Sequence, residues 1–170
     1  ELLSRVIKDV PDNADALKGF GFCSFIEKDY KNAIVYLEKS LAKVSYDFYA
    51  QLDLAFSYYN LKDYDKAKKV FRKAIEISPS YAESAEFKKI LGERREFSSL
   101  YADAGWSYYV WKDYDSAYRI FNTVLTKQNK NGWSALMGIG YVYSQYRLYD
   151  KAITNLEESL RVNNQSKTIN

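Results

Sequence analysis

A chain of 170 residues, 47% hydrophobic and 28% charged, is long enough for one domain or a short repeat array and too apolar for a disordered tail. Lys and Arg number 25 against 22 Asp and Glu, so the net charge of +3 is too small and too dispersed for a nucleic-acid surface. With no His and a single cysteine, Cys23, the chain lacks the commonest metal ligand and can form neither an internal disulfide nor a CxxC site.

Only 2 Pro and 7 Gly punctuate the chain, which favours helices over a turn-rich β fold, while Tyr stands out at 17 beside 9 Phe and 3 Trp. No apolar run approaches the ~20 residues of a membrane span, so direct membrane insertion is not expected. A lone thiol suits a cytoplasmic protein, the favoured location, and leaves a periplasmic or other envelope space open. The start at Glu1, without Met, is the expected look of a piece cut from something longer.

Four segments share one pattern: Lys28-Asp29-Tyr30-Lys31-Asn32-Ala33, Lys62-Asp63-Tyr64-Asp65-Lys66-Ala67, Lys112-Asp113-Tyr114-Asp115-Ser116-Ala117 and Arg147-Leu148-Tyr149-Asp150-Lys151-Ala152. Their alanines are 34, 50 and 35 residues apart, the middle interval being one period plus 16. Twelve residues before each alanine stands a small residue (Gly21, Ala55, Gly105, Gly140), and four after it a large one (Leu37, Phe71, Phe121, Leu156). Seven after come Ser40, Ala74, Val124 and Ser159. Offsets of 3, 4 and 7 share a helix face, so each unit reads as two amphipathic helices that approach closely at the small sites. Asp29, Asp63 and Asp113 stand where they can cap the second helix.

In chain order the register predicts helices at 1–10, 14–27, 30–43, 48–61, 64–77, 80–110, 114–127, 133–146 and 149–162. The corresponding segments are 1–13, the last helix of a repeat cut short; 14–47, repeat 1; 48–81, repeat 2; 82–97, a helical insertion; 98–131, repeat 3; and 132–170, repeat 4 with a polar tail. Leu3 and Val6 fall on second-helix anchors, and Pro11 where a unit would end. Within the insertion, apolar residues at 87, 90, 91, 97, 101, 104 and 108 keep helical spacing into repeat 3. That spacing predicts one continuous helix of about 46 Å, with a break at Gly92 as the competing reading because glycine costs ~1 kcal/mol there. As a spacer the insertion resets the array; as a protruding arm it makes contacts. The spacer is the simpler reading.

This pattern resembles the tetratricopeptide repeat (TPR) family over nearly the whole chain. The family motif is about 34 residues long, with small–large–small anchors and a proline near its end. Pro79 holds that place in repeat 2, while Ser45, Asn129 and Asn164 depart from it. The resemblance implies an all-α fold, a right-handed α-solenoid of antiparallel helix pairs, and a concave groove lined by the first helix of each unit. Such a fold implies a protein-protein interaction scaffold with a protein or peptide partner, and neither enzyme activity nor a cofactor.

The residues agree on chemistry. Without His, a general base would have to be a desolvated Asp, Glu, Lys or Tyr, and the acids here alternate with lysines on what read as solvated faces. No catalytic, cofactor-binding or metal site is predicted. Gly138-Ile139-Gly140 lacks the third glycine and the preceding strand of a dinucleotide fingerprint. Cys23, beside Gly21, reads as a buried small hydrophobe.

The candidate partner-binding groove consists of Phe22, Phe56, Trp106 and Tyr141, eleven residues before their alanines, and Phe25, Tyr59 and Tyr109, eight before, with Ser144 completing the second set. The resemblance sharpens the first set, since relatives usually keep a polar residue, often Asn, there. Asp53 and Asp103, fourteen before, add an acidic element, and Lys18 is the main basic group. Two readings stand: the rings pack neighbouring first helices, or they form a recognition stripe. One TPR subclass clamps the acidic tail of heat-shock chaperones with Lys, Asn, Asn, Lys and Arg. The matching positions here are Lys18, Phe22, Asp53, Ser99 and Asp103, where only Lys18 agrees and two aspartates repel a carboxylate. Two other functions remain open: a regulatory or targeting arm of a larger enzyme, and self-association through open repeat ends.

Overall fold

The computed structural model describes residues 13–94, 97–128 and 132–168; the predicted first helix, with Leu3, Val6 and Pro11, lies outside them. Among the described residues the chain is all-α, with nine α-helices: α1 Ala14–Ile26, α2 Tyr30–Lys43, α3 Phe48–Asn60, α4 Tyr64–Ile77, α5 Ala85–Glu93, α6 Ser99–Val110, α7 Tyr114–Thr123, α8 Trp133–Gln145 and α9 Tyr149–Thr168. A 3₁₀ segment, Pro79–Glu83, precedes α5, and a π-helical turn, Val124–Gln128, prolongs α7. Two compact units divide at Ser78 and Pro79. In unit 1, α1 packs on α2 and α3 on α4, with α3 also against α1 and α2; in unit 2, α6 packs on α7 and α8 on α9 in the same antiparallel manner.

The repeating anchors make the core. Ala33, Ala67 and Ala117 are fully buried, as are Leu37, Phe71 and Phe121, each large side chain contributing ~1.5–3 kcal/mol by leaving water. A β-carbon on Gly21 would lie 2.5 Å from Leu37 Cγ, and one on Gly140 2.7 Å from Leu156 Cγ, so the small sites admit no side chain without displacing the large anchor. The serines seven residues after the alanine are more than small. Ser40 Oγ donates to the carbonyl of Ala14 at 2.8 Å, and Ser159 Oγ to that of Trp133 at 2.7 Å, tying the end of each second helix to the start of the first.

The corner between the two helices of a repeat has the same backbone geometry four times, with a capping aspartate at three of them. Lys28, Lys62, Lys112 and Arg147 all have φ of 60–63°, the left-handed region where glycine normally ends a helix. The next N–H reaches back five residues, as from Asp29 to Ser24 O at 2.8 Å and from Asp63 to Tyr58 O at 3.0 Å. That same aspartate then caps the second helix: Asp29 accepts from Asn32 N, Asp63 from Lys66 N and Asp113 from Ser116 N. One residue thus closes one helix and opens the next.

Three expectations are corrected. The helix expected over 80–110 is broken: α5 ends at Glu93, Arg94 is extended at φ −139°, and the next α-helix starts at Ser99. A straight helix would hold Phe87, Ile90 and Phe97 away from the repeats, whereas the break buries all three almost completely. The stop falls beyond Gly92, and Ser84, which accepts from Phe87 N at 3.1 Å, starts α5. Glu83 is gripped by the Arg119 guanidinium on α7, so the insertion is packed down onto repeat 3. Cys23 is exposed, because two residues beyond Gly21 is about 200° round a helix and faces away from the core. Finally α9 runs to Thr168, six residues past the expected 162, so much of the supposed polar tail is helical.

Candidate functional site

The first-helix aromatics divide by register. At the position eight before the alanine, each ring packs on the tyrosine that opens the second helix: Phe25 on Tyr30 at 5.9 Å between centroids, Tyr59 on Tyr64 at 5.6 Å, Tyr109 on Tyr114 at 5.4 Å. These three rings are half-buried and bridge the corner. At the position eleven before, the ring lies over the large second-helix anchor or projects into solvent. Phe56 stands edge-on to Phe71 at 5.2 Å, and Trp106 edge-on to Phe121 at 5.1 Å, while Phe22 and Tyr141 remain 49% and 44% exposed.

In unit 2 these positions converge. Trp106 lies 5.9 Å from both Tyr109 and Tyr141, and Tyr109 lies 6.1 Å from Tyr141, with interplanar angles of 56–76°. Three rings this close, two of the pairs edge to face and one tilted, form a single aromatic platform. Two of the polar tips bond within the chain: Trp106 Nε1 donates to Ser134 Oγ at 3.0 Å, and Tyr109 Oη accepts from Gln145 Nε2 at 3.1 Å. The cluster continues through Tyr114 to Tyr146 at 6.1 Å. Tyr146 donates to the Asp115 carboxylate, and that bond, with burial and the negative charge, pushes its phenol up to about 12.

Asp53 and Asp103 are half-buried on α3 and α6. Asp103 lines a cavity of about 330 Å³ between the first turns of α6 and α8, with Ser98, Ser99, Ala102, Gly132 and Ser134. Ser134, the acceptor of the Trp106 indole, joins this cavity to the ring platform. Lys18, expected to charge the groove of repeat 1, is committed inside unit 1: its Nζ donates to Asp47 Oδ2 at 2.7 Å and lies 3.8 Å from Asp15. The hydrogen bond to Asp47 holds the Lys18 ammonium above its ordinary range. Burial pushes the Asp47 carboxyl up, but the bonds from Lys18 and from the Ala50 N–H prevail and hold it below its ordinary value. Sequence reasoning missed this pair, because Asp47 sits outside the repeated motif and its only signal was an N-cap position before α3.

Anchors, corner caps and antiparallel helix pairs define a helical-repeat protein. The tetratricopeptide repeat family model matches residues 24–91 of this chain. Proteins of this family generally act as protein-protein interaction scaffolds. Among solved structures it is similar to MamA, at 17% identity over 98% of this chain and 87% of that one, with a TM-score of 0.46. YrrB, described as a TPR protein with an unusual peptide-binding site, is similar at 16% identity over 95% and 92%, with a TM-score of 0.42. PilF of Pseudomonas aeruginosa is similar at 19% identity over 94% and 65%, also at 0.42. No curated protein sequence matches the chain.

Proposed function

We propose that this chain is a non-catalytic scaffold that receives a segment of a protein partner on the aromatic faces of its first helices, with the Trp106–Tyr109–Tyr141 platform of unit 2 as the principal contact. The observation that carries this reading is the convergence of the three rings, 5.9–6.1 Å apart between centroids, with Tyr141 44% exposed. With the Trp106 indole bonded to Ser134 and the Tyr109 hydroxyl to Gln145, what the platform offers outward is ring surface. Burying it against a partner gains apolar area without stranding the indole N–H, and the tyrosine hydroxyls can donate to acceptors on the partner. Phe22, with Phe25, Phe56, Tyr59 and Asp53, gives unit 1 a contact face of its own, while Asp103 supplies the acidic element in unit 2.

Tyr141 is the cleanest probe because 44% of it is exposed and it is not a core anchor. Peptides selected from a random phage-displayed library on the whole chain are expected to bind the Tyr141→Ala variant at least thirtyfold more weakly, the loss of ~2 kcal/mol typical of a central aromatic. Helicity and melting temperature should stay near wild type. Selected peptides that bind both proteins equally would refute the platform.

A further inference from the structure

The cavity beside Asp103 has a counterpart in unit 1, and the counterpart is full. Counting back from the anchor alanines, Ala102 stands where repeat 1 has Lys18, fifteen residues before the alanine. Gly132 stands where the following repeat has Asp47, twenty before, and Ser99 where repeat 1 has Asp15. In unit 1 the Lys18 side chain crosses from α1 to the first turn of α3 and ends on Asp47 at 2.7 Å. In unit 2 all three charged side chains are replaced by small ones, and a cavity of about 330 Å³ lies there. The space a lysine occupies in one unit is vacated in the other.

We propose that this cavity is a socket for a basic side chain, a lysine above all, carried by the partner segment whose neighbouring apolar residues lie across Trp106, Tyr109 and Tyr141. The proposal rests on the platform reading and names the chemistry of its partner. Three features favour a cation. Asp103, fourteen before its alanine, brings a carboxylate to the cavity wall where repeat 1 has Gly19, which carries no side chain. The hydroxyls of Ser98, Ser99 and Ser134 provide further acceptors, Ser134 keeping a lone pair after accepting from Trp106. Ser98 and Ser99 are exposed, so the cavity meets solvent at the start of α6 and a side chain can enter there. A lysine stem lying along Ala102, Val124 and Ala135 would bury its methylenes while its ammonium reaches Asp103, the arrangement expected of a long amphipathic side chain.

The test uses the whole chain and peptides selected on it from a random phage-displayed library. Peptides sharing a Lys or Arg beside apolar residues are expected. Replacing that residue by norleucine, which keeps the stem and removes the charge, should weaken binding at least tenfold. Asp103→Asn, which preserves shape, should weaken it about tenfold or more, as for a charge-assisted hydrogen bond. The double variant Ala102→Lys/Gly132→Asp rebuilds the unit 1 pair inside the cavity and should abolish binding without loss of helicity. Equal binding of the norleucine peptide, or of Asp103→Asn, overturns the socket. Peptides that lose affinity with Tyr141→Ala but not with Asp103→Asn sink the socket and leave the platform standing. Peptides that respond to Asp103→Asn alone sink the platform contact, and a selection that yields no binder sinks both.

Discussion

Phe121 is held between two glycines, and the sign of a mutation there follows from the geometry. A β-carbon added at Gly105 would lie 2.6 Å from Cε1 and 2.8 Å from Cδ1 of the ring. One added at Gly138 would lie 2.4 Å from both Cε2 and Cζ and 2.7 Å from Cδ2. Ordinary carbon contacts need ~3.5–4.0 Å, so either alanine must displace the ring by about an ångström. The two glycines flank opposite edges, so a ring pushed away from one is driven onto the other. Phe121 is fully buried and has no solvent side to retreat to. In an exposed helix Gly→Ala gains ~1 kcal/mol of propensity; here overpacking, typically 1–3 kcal/mol, opposes that gain and exceeds it. Gly138→Ala is therefore expected to lower stability by about 1–2 kcal/mol, seen as a lower urea midpoint by circular dichroism at 222 nm and a fall of ~2–8 °C in Tm. In a Phe121→Leu background the same substitution should be neutral or stabilising, a coupling of at least ~1 kcal/mol in the double-mutant cycle. A Gly138→Ala protein with a raised midpoint would refute the clamp.

Lys62→Gly should raise stability by about 0.5–1 kcal/mol, read as a higher urea midpoint, because the relief of a left-handed lysine at φ 63°, ~1–2 kcal/mol, exceeds the extra chain entropy that glycine loses on folding. The Lys18–Asp47 pair should also leave a mark on acid stability. The Asp47 carboxyl is held below its ordinary value, so its contribution is complete above the unfolded-state pKa of ~3.9 and disappears as pH falls through the lower folded value. Asp47→Asn keeps a good N-cap and loses the charge, so it should cost about 0.5–1 kcal/mol near pH 7, screened on the Lys18 side. Against wild type the deficit should hold down to about pH 4 and shrink as pH falls further through the lowered folded value, in urea titrations at each pH.

Much of the fold was legible because its determinants repeat. Ala33, Ala67 and Ala117 recur with large partners four residues on, and this periodicity arises only if two helices touch at the same point in every unit. The corner caps were legible for the same reason, but not the left-handed basic residues before them, since Lys28 and Lys62 carry no mark of φ in their chemistry. Where a segment escaped the period, local spacing misled. The apolar residues from Phe87 to Tyr108 keep helical intervals, yet burial of Phe87, Ile90 and Phe97 required a stop that neither a proline nor Gly92 announces. Cys23 was misread by proximity, since a neighbour in sequence is not a neighbour in angle.

Of the candidate site, the sequence offers the rings and not how each is packed. Listing aromatics by offset identified the rings, but only the fold separates those bridging the corner at eight before the alanine from the less committed ones at eleven before. Phe25, Tyr59 and Tyr109 each rest on a tyrosine of their own repeat, and truncating them should strike the corner as well as any partner. The cavity was invisible for a different reason. Ala102 and Gly132 are unremarkable small residues until the same register in unit 1 is seen to hold Lys18 bonded to Asp47. A repeat protein carries its own internal control. Where one unit spends an ion pair to fill the space between two first helices and another leaves that space walled by Asp103 and serines, the difference is the clearest sign of what each unit was shaped to meet.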